Sequence, residues 1–228
     1  MKSKAKVVVI GGGVVGVSTL YHLAKKGWSD VVLCERKELT SGSTWHAAGL
    51  MPLFNMSYSV GQIHKYSVKF YQELEKETGQ DVGFREVSNI RLAENQDRMD
   101  EYRQYAGVAE TIGVKVNFLT PEEIQKAWPL CSIDGLVGAI QHPEDGYIQP
   151  NDLTQALAKG ARALGAEIYR QTAVTALEQL PDDSWIVTTD QGEIRCDDVV
   201  SCSGNFVGHT GDMVGLDISA IRFEHHCS

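Results

Sequence analysis

Hydrophobic positions cluster at the start of the chain in Val7-Val8-Val9-Ile10, a β-branched run that stops at Gly11-Gly12-Gly13. A run of that length and composition predicts a strand buried on both faces. Beyond the glycines the period changes. Val17, Leu20, Tyr21 and Leu23-Ala24 recur at helical spacing until Gly27, a C-terminal helix signal. Val31-Val32-Leu33-Cys34 then predicts a second buried strand.

Farther along, the pattern predicts a helix over 61–78, with Ile63, Tyr66, Phe70 and Leu74 inward and Glu73, Lys76 and Glu77 outward. Further helices are expected over 96–112, from Thr120-Pro121, and over 151–164, the last capped by Asn151 or Asp152 and stopped at Gly165. Short strands fit 84–93, 114–119 and 135–141, ahead of the turn Pro143-Glu144-Asp145-Gly146. Ala173 to Gln179, Trp185 to Thr189 and Glu193 to Arg195 read as a meander, followed by a separate buried strand Val199-Val200-Ser201-Cys202. An opening βαβ unit, a mixed region and a late return to parallel strand define an α/β fold: a discontinuous dinucleotide-binding domain carrying an insertion. The segments are placed at 1–82, 83–145 and 146–228.

The glycines have separate tasks in that reading. Gly11 permits the tight turn, Gly13 lets a pyrophosphate approach the backbone, and Gly16 lets helix and strand pack closely, with the positive helix terminus facing the phosphates. Glu35, at the end of the second strand, lies close to the roughly 20-residue spacing from the last glycine expected of a ribose-binding carboxylate.

Composition narrows the partners. A net charge of −9 argues against nucleic acid or an anionic membrane surface. Five cysteines (Cys34, Cys131, Cys196, Cys202, Cys227) are odd in number and lack CxxC spacing, which suits reduced intracellular thiols and no metal site. Lys2, Lys4 and Lys6 before an apolar run imitate a secretory signal. The three glycines interrupt that run and no Ala-x-Ala site follows, so neither a targeting segment nor a membrane span is expected and the default compartment is the cytoplasm.

Five stretches carry a resemblance: Gly11 to Gly16 with Val14 and Val15; Glu35-Arg36; Gly42-Ser43-Thr44-Trp45-His46-Ala47-Ala48-Gly49-Leu50; Asp145-Gly146-Tyr147-Ile148-Gln149-Pro150; and Ser203-Gly204-Asn205. Their order is similar to that in flavin-dependent amine oxidoreductases of the D-amino-acid-oxidase superfamily, nearest the dimethylglycine and sarcosine dehydrogenases. The resemblance implies a Rossmann-like FAD-binding domain with an inserted, incomplete mixed α+β substrate domain, and a mitochondrial matrix location in a eukaryote. It implies that FAD is bonded covalently to His46, for which an ordinary loop hydrogen bond is the alternative. Glu35 would bind the adenosine ribose and Arg36 would lie by the adenine or remain an exposed cation. Ser43 and Thr44 would meet the pyrophosphate or ribityl chain. Gly49 and Leu50 continue the flavin loop, Val174 would be an adenine contact or a core valine, and Ser203-Gly204 would close on the pyrophosphate.

The implied chemistry is hydride transfer to flavin N5 from an N-methylated glycine, giving an imine that water hydrolyses. Electrons would pass to O2 or an electron-transfer protein. His225 aligns with a histidine near the flavin and is the catalytic candidate, while Arg85, Arg91 and Arg222 are candidates for the substrate carboxylate. Arg222, His226 and Cys227 depart from the family pattern, and such proteins continue for well over a hundred further residues, so the chain reads as a fragment. Two rivals remain: a non-catalytic FAD-binding remnant, and an NAD-dependent dehydrogenase, which would leave the Ser43-to-His46 loop unexplained.

Overall fold

A computed structural model describes residues 1–221. In chain order the elements are β1 (Lys4–Ile10), α1 (Val14–Lys25), β2 (Val31–Cys34), a 3-10 turn (Ser43–His46), β3 (Leu50–Met51), α2 (Tyr58–Thr78), β4 (Arg85–Glu86) and β5 (Asn89–Ala93). There follow α3 (Gln96–Ile112), β6 (Asn117–Leu119), α4 (Pro121–Ala127), β7 (Gly138–His142), β8 (Gly146–Tyr147) and α5 (Pro150–Ala163). The chain continues through β9 (Glu167–Tyr169), β10 (Val174–Gln179), β11 (Trp185–Thr189), β12 (Gly192–Ser201), a 3-10 turn (Gly204–Phe206) and α6 (Val207–Asp212). Two compact units emerge: residues 1–48, 74–81 and 150–228, and residues 49–73 and 82–149.

The first unit is built on a six-stranded sheet of order β10-β11-β12-β1-β2-β9. β12, β1, β2 and β9 run parallel, while β10, β11 and β12 form an antiparallel meander. Val7, Val8, Val9 and all of β2 are buried, as the apolar runs require of central parallel strands. One sequence expectation needs correcting here. The third meander strand and the later buried strand are a single ten-residue strand, β12, whose Lys4↔Arg195 to Ile10↔Ser201 register pairs it with β1. Asp197 and Asp198, which look like a break in the sequence, simply face solvent within it.

Edge strand β9 was also not expected; three half-buried residues carry too little pattern. α5 begins at Pro150, one residue earlier than expected, with Pro in the first helical turn, where its missing N–H costs nothing. The Asn151 side chain accepts instead from Thr40 Oγ1 at 2.9 Å. α1 and α5 approach closely at Gly160, where a Cβ would stand 2.6 Å from the Tyr21 ring. Tyr21 Oη donates to Glu77, and Lys25 Nζ lies 2.7 Å from the same carboxylate.

The second unit holds two antiparallel three-stranded sheets, β3-β8-β4 and β5-β7-β6. Its core joins Leu53, Val68, Met99, Tyr102, Tyr105 and Ile140. α3 is capped at one end by Asn95, which accepts from Arg98 N, and ends at left-handed Gly113. α4 carries a Thr120/Glu123 capping box.

The inward face assigned to α2 is only half right. Phe70 and Leu74 are buried, but Ile63 and Tyr66 are 63% and 57% exposed. The buried stripe of the helix's first turns runs through Gly61 and Val68, and a Cβ at Gly61 would stand 2.3 Å from Ile112. A glycine that admits a neighbouring side chain is invisible to a hydrophobic count.

Candidate cofactor-binding site

β1 delivers the chain into the glycine loop, and α1 carries it away. Gly11 has φ 112°, and a Cβ there would stand 2.4 Å from the Cys202 carbonyl oxygen. At Gly16 the obstacle is the loop itself, since a Cβ would lie 1.9 Å from Gly11 O. These are the tight turn and close helix–strand approach expected of the two positions. Gly13 has an ordinary φ of −76° and serves by being small, with Thr44 Oγ1 only 3.1 Å from where its Cβ would be. Gly12, which sequence reasoning passed over, is equally constrained: its Cβ would stand 2.7 Å from Leu39 and 2.8 Å from Glu35 Cγ.

Two side chains knit the loop. Glu35 Oε2 accepts from Gly12 N at 2.6 Å and Oε1 from Lys37 N at 2.8 Å. Each carboxylate oxygen keeps acceptor capacity for a ligand hydroxyl. Thr44, only 8% exposed, accepts from Val14 N at 3.0 Å. The first-turn amides of Val15 and Gly16 have no carbonyl within their own helix, and Val15 itself is 65% exposed. Such a terminus favours an anion.

Ser203 abuts Gly11, whose Cβ would approach its Cα to 3.3 Å. Its hydroxyl accepts from Thr210 Oγ1 at 2.9 Å and lies 3.0 Å from Ser201 Oγ. Gly204 has φ 55°. The Arg36 guanidinium lies 3.7 Å from the centroid of the Phe206 ring. Val174 opens β10, half-buried against the Val187–Ile194 part of the core.

Ser43 and His46 are exposed on the 3-10 turn, and His46 Nδ1 lies 3.1 Å from Gly42 O. A carbonyl can only accept, so that contact requires Nδ1–H and leaves Nε2 as the ring nitrogen with a lone pair. Gly49 and Leu50 belong to the second unit, where Gly49 O accepts from Ile148 N and Leu50 pairs with Tyr147. His225 and Arg222 lie outside the described residues.

The second unit contains a buried polar cluster that the sequence did not announce. Asp145, read from the sequence as a turn residue opening one of the resemblance-bearing stretches, is 2% exposed and accepts from Leu53 N at 2.8 Å through Oδ1. Tyr105 Oη donates to Leu53 O at 3.2 Å and lies 3.1 Å from Nε2 of the fully buried His142. Arg91 stacks on Phe54 at 4.3 Å. Burial pushes the Asp145 carboxyl up to about 6, against the pull of Leu53 N–H, Arg91 and His64. Burial, with Arg91, holds the His142 imidazole down to about 4, and burial raises the Tyr105 phenol to about 12. Arg85 instead donates to Phe84 O at 2.7 Å on the surface. The Cys34 and Cys196 thiols, pushed by burial to about 12 and about 11, are structural and unreactive.

A strand–glycine loop–helix unit, an acid after the second strand and a return through β12 to the same strand end define a dinucleotide-binding protein. Residues 6–226 match the FAD dependent oxidoreductase (DAO) family, and the chain belongs to it. It is 43% identical over 98% of its length to rat mitochondrial dimethylglycine dehydrogenase, and 36% identical over 99% to human mitochondrial sarcosine dehydrogenase. It spans 26% and 25% of those relatives. Among solved structures, L-proline dehydrogenase from P. horikoshii superposes with a TM-score of 0.89 at 26% identity, over 96% of this chain and 58% of that one. The residues fit the family's cofactor: the first turn of α1 has amides without helical partners, and the Glu35 carboxylate keeps acceptor capacity beyond Gly12 N and Lys37 N. No helix among the described residues is long and apolar enough to cross a membrane.

Proposed function

We propose that the chain is the FAD-holding portion of an oxidoreductase acting on the CH–NH group of an N-methylated amino acid of the dimethylglycine or sarcosine type. The observation that carries this reading is a complete glycine-loop site in a chain so similar, over nearly its whole length, to enzymes named for those substrates. Bound FAD supplies a hydride acceptor for the carbon next to nitrogen, and the resulting imine is hydrolysed by water. The residues described here hold and orient. Val15 and Gly16 offer amides to the pyrophosphate, Glu35 accepts from the adenosine ribose, and Thr44 fixes the first turn of α1. Arg91 is the carboxylate candidate among the described residues that combines a cation with partial burial.

His46 is the point of covalent attachment in this reading, through Nε2, because Nδ1 is engaged with Gly42 O. Acid precipitation tests it. Flavin fluorescence should stay with the protein pellet and move to the supernatant in His46→Ala; flavin wholly in the supernatant for the unsubstituted protein overturns the attachment. A second reading, FAD binding without turnover by these residues alone, is favoured by the quarter of the relatives' length that the chain spans. Bleaching of the flavin bands by sarcosine or dimethylglycine separates the two. The electron acceptor, O2 or an electron-transfer protein, is read from reoxidation in air.

A further inference from the structure

Arg36 and Phe206 leave the sheet from different strands. Arg36 follows β2 by two residues, and Phe206 ends the 3-10 turn that follows β12. β2 and β12 flank β1 on either side, so their ends stand about 10 Å apart, two strand spacings. The contact of 3.7 Å therefore spans the end of β1 from which the glycine loop emerges.

Both backbones are pinned. Thr172 N and Gln171 N donate to Glu35 O and Lys37 O, one residue to each side of Arg36. Phe206 N donates to Ser203 O, and the single Thr210 hydroxyl proton is shared between Ser203 Oγ and, at 3.3 Å, Phe206 O. The Arg36 side chain is exposed, and its guanidinium carbon lies over the half-buried Phe206 ring. The other face of the guanidinium and its N–H edge remain for a ligand.

Charge supports a ligand there. Arg98, Arg103, Arg170 and Arg195 each pair with a carboxylate, but among the described residues no carboxylate pairs with Arg36. In a chain of net charge −9, that leaves a held cation at the mouth of an anion-binding loop.

We propose that Phe206 is a positioning residue, which holds Arg36 ready to contact the adenosine diphosphate half of the cofactor. This rests on the dinucleotide reading of the site and adds to it an aromatic residue with no role in ligand contact of its own. Preorganisation of a long side chain lowers the ordering cost of binding. The guanidinium's planarity matters, since it stacks on the ring while its edge donates.

The test is calorimetric titration of the 228-residue chain with ADP, and separately with FMN, which lacks the adenosine half. Arg36→Ala should weaken ADP binding about tenfold, the scale of losing a charged hydrogen-bond donor. Phe206→Leu should weaken it about 2–5-fold, the scale of an exposed cation–π contact, and Phe206→Trp should restore it. The double variant should bind ADP no worse than Arg36→Ala alone, FMN binding should not change, and thermal unfolding should confirm that each variant folds. A Phe206→Leu protein with unaltered ADP affinity, or one whose loss adds fully to that of Arg36→Ala, overturns the proposal and leaves the dinucleotide site standing. Absence of ADP binding by the unsubstituted chain overturns the dinucleotide reading itself, and this proposal with it.

Discussion

Acid should leave the second unit almost unmoved, for a reason that a single substitution can expose. Asp145 carries a folded-state pKa of about 6 against an ordinary 3.8. Its folded pKa is raised, so the stability it contributes is fully present below pH 3.8 and is lost as pH rises through 6. At about 1.4 kcal/mol per pKa unit the loss is about 3 kcal/mol. His142 moves the other way, from 6.5 down to about 4. Its contribution is present above pH 6.5 and is lost as pH falls through 4, again by about 3 kcal/mol. Between pH 6.5 and 4 the two nearly cancel.

Asp145→Asn keeps an Oδ1 acceptor for Leu53 N and removes the carboxyl that titrates. The variant should gain stability at pH 7 and then lose about 3 kcal/mol between pH 6.5 and 4, as His142 is forced to charge beside Arg91. Native-state hydrogen exchange of the β7 amides, corrected for intrinsic rates, reads this unit separately from the other. A flat profile for Asp145→Asn beside a steep acid loss in the unsubstituted protein would mean that Asp145 is ionised and stabilising, and the reasoning from burial would fall.

Glu35→Ala should weaken FAD by about 1.5–3 kcal/mol, the scale of hydrogen bonds to a charged group, when titrated in a His46→Ala background; unchanged affinity places the carboxylate outside the site. Gly16→Ala should destabilise the first unit by about 3 kcal/mol or more in urea, because its Cβ would fall 1.9 Å from Gly11 O; a midpoint equal to that of the unsubstituted chain would show that α1 can shift to make room.

How legible each part was follows from the range of the forces that set it. The βαβ opening could be read because strand, glycine loop, helix and acid are local signals in one stretch of sequence. The meander turns were legible for the same reason. β12 was cut in two because Asp197-Asp198 breaks an apolar pattern, and only the pairing with β1 shows that the backbone runs straight through. The inward face of α2 was misjudged because its close contact is made by Gly61, a residue with no hydrophobicity to count. Asp145 gave no sign that it is a core residue, since its partner, Leu53, lies far away in sequence. Thr44 was singled out for a ligand, while the structure shows its oxygen also fastening α1 to the 3-10 turn.

The continuity of β12 has a consequence for biosynthesis. β1 leaves the ribosome well ahead of β12, and β2 follows at once to cover one of its edges. Its other edge pairs with β12, Lys4 with Arg195, so it stays open while the intervening chain is made. All of the second unit, which closes at Gln149, is synthesised in that interval. A half-paired β-branched strand is the kind of edge on which chains associate wrongly, and long-range parallel pairing is slow to form. The nascent protein therefore carries an open edge on a β-branched strand until β12 has been made.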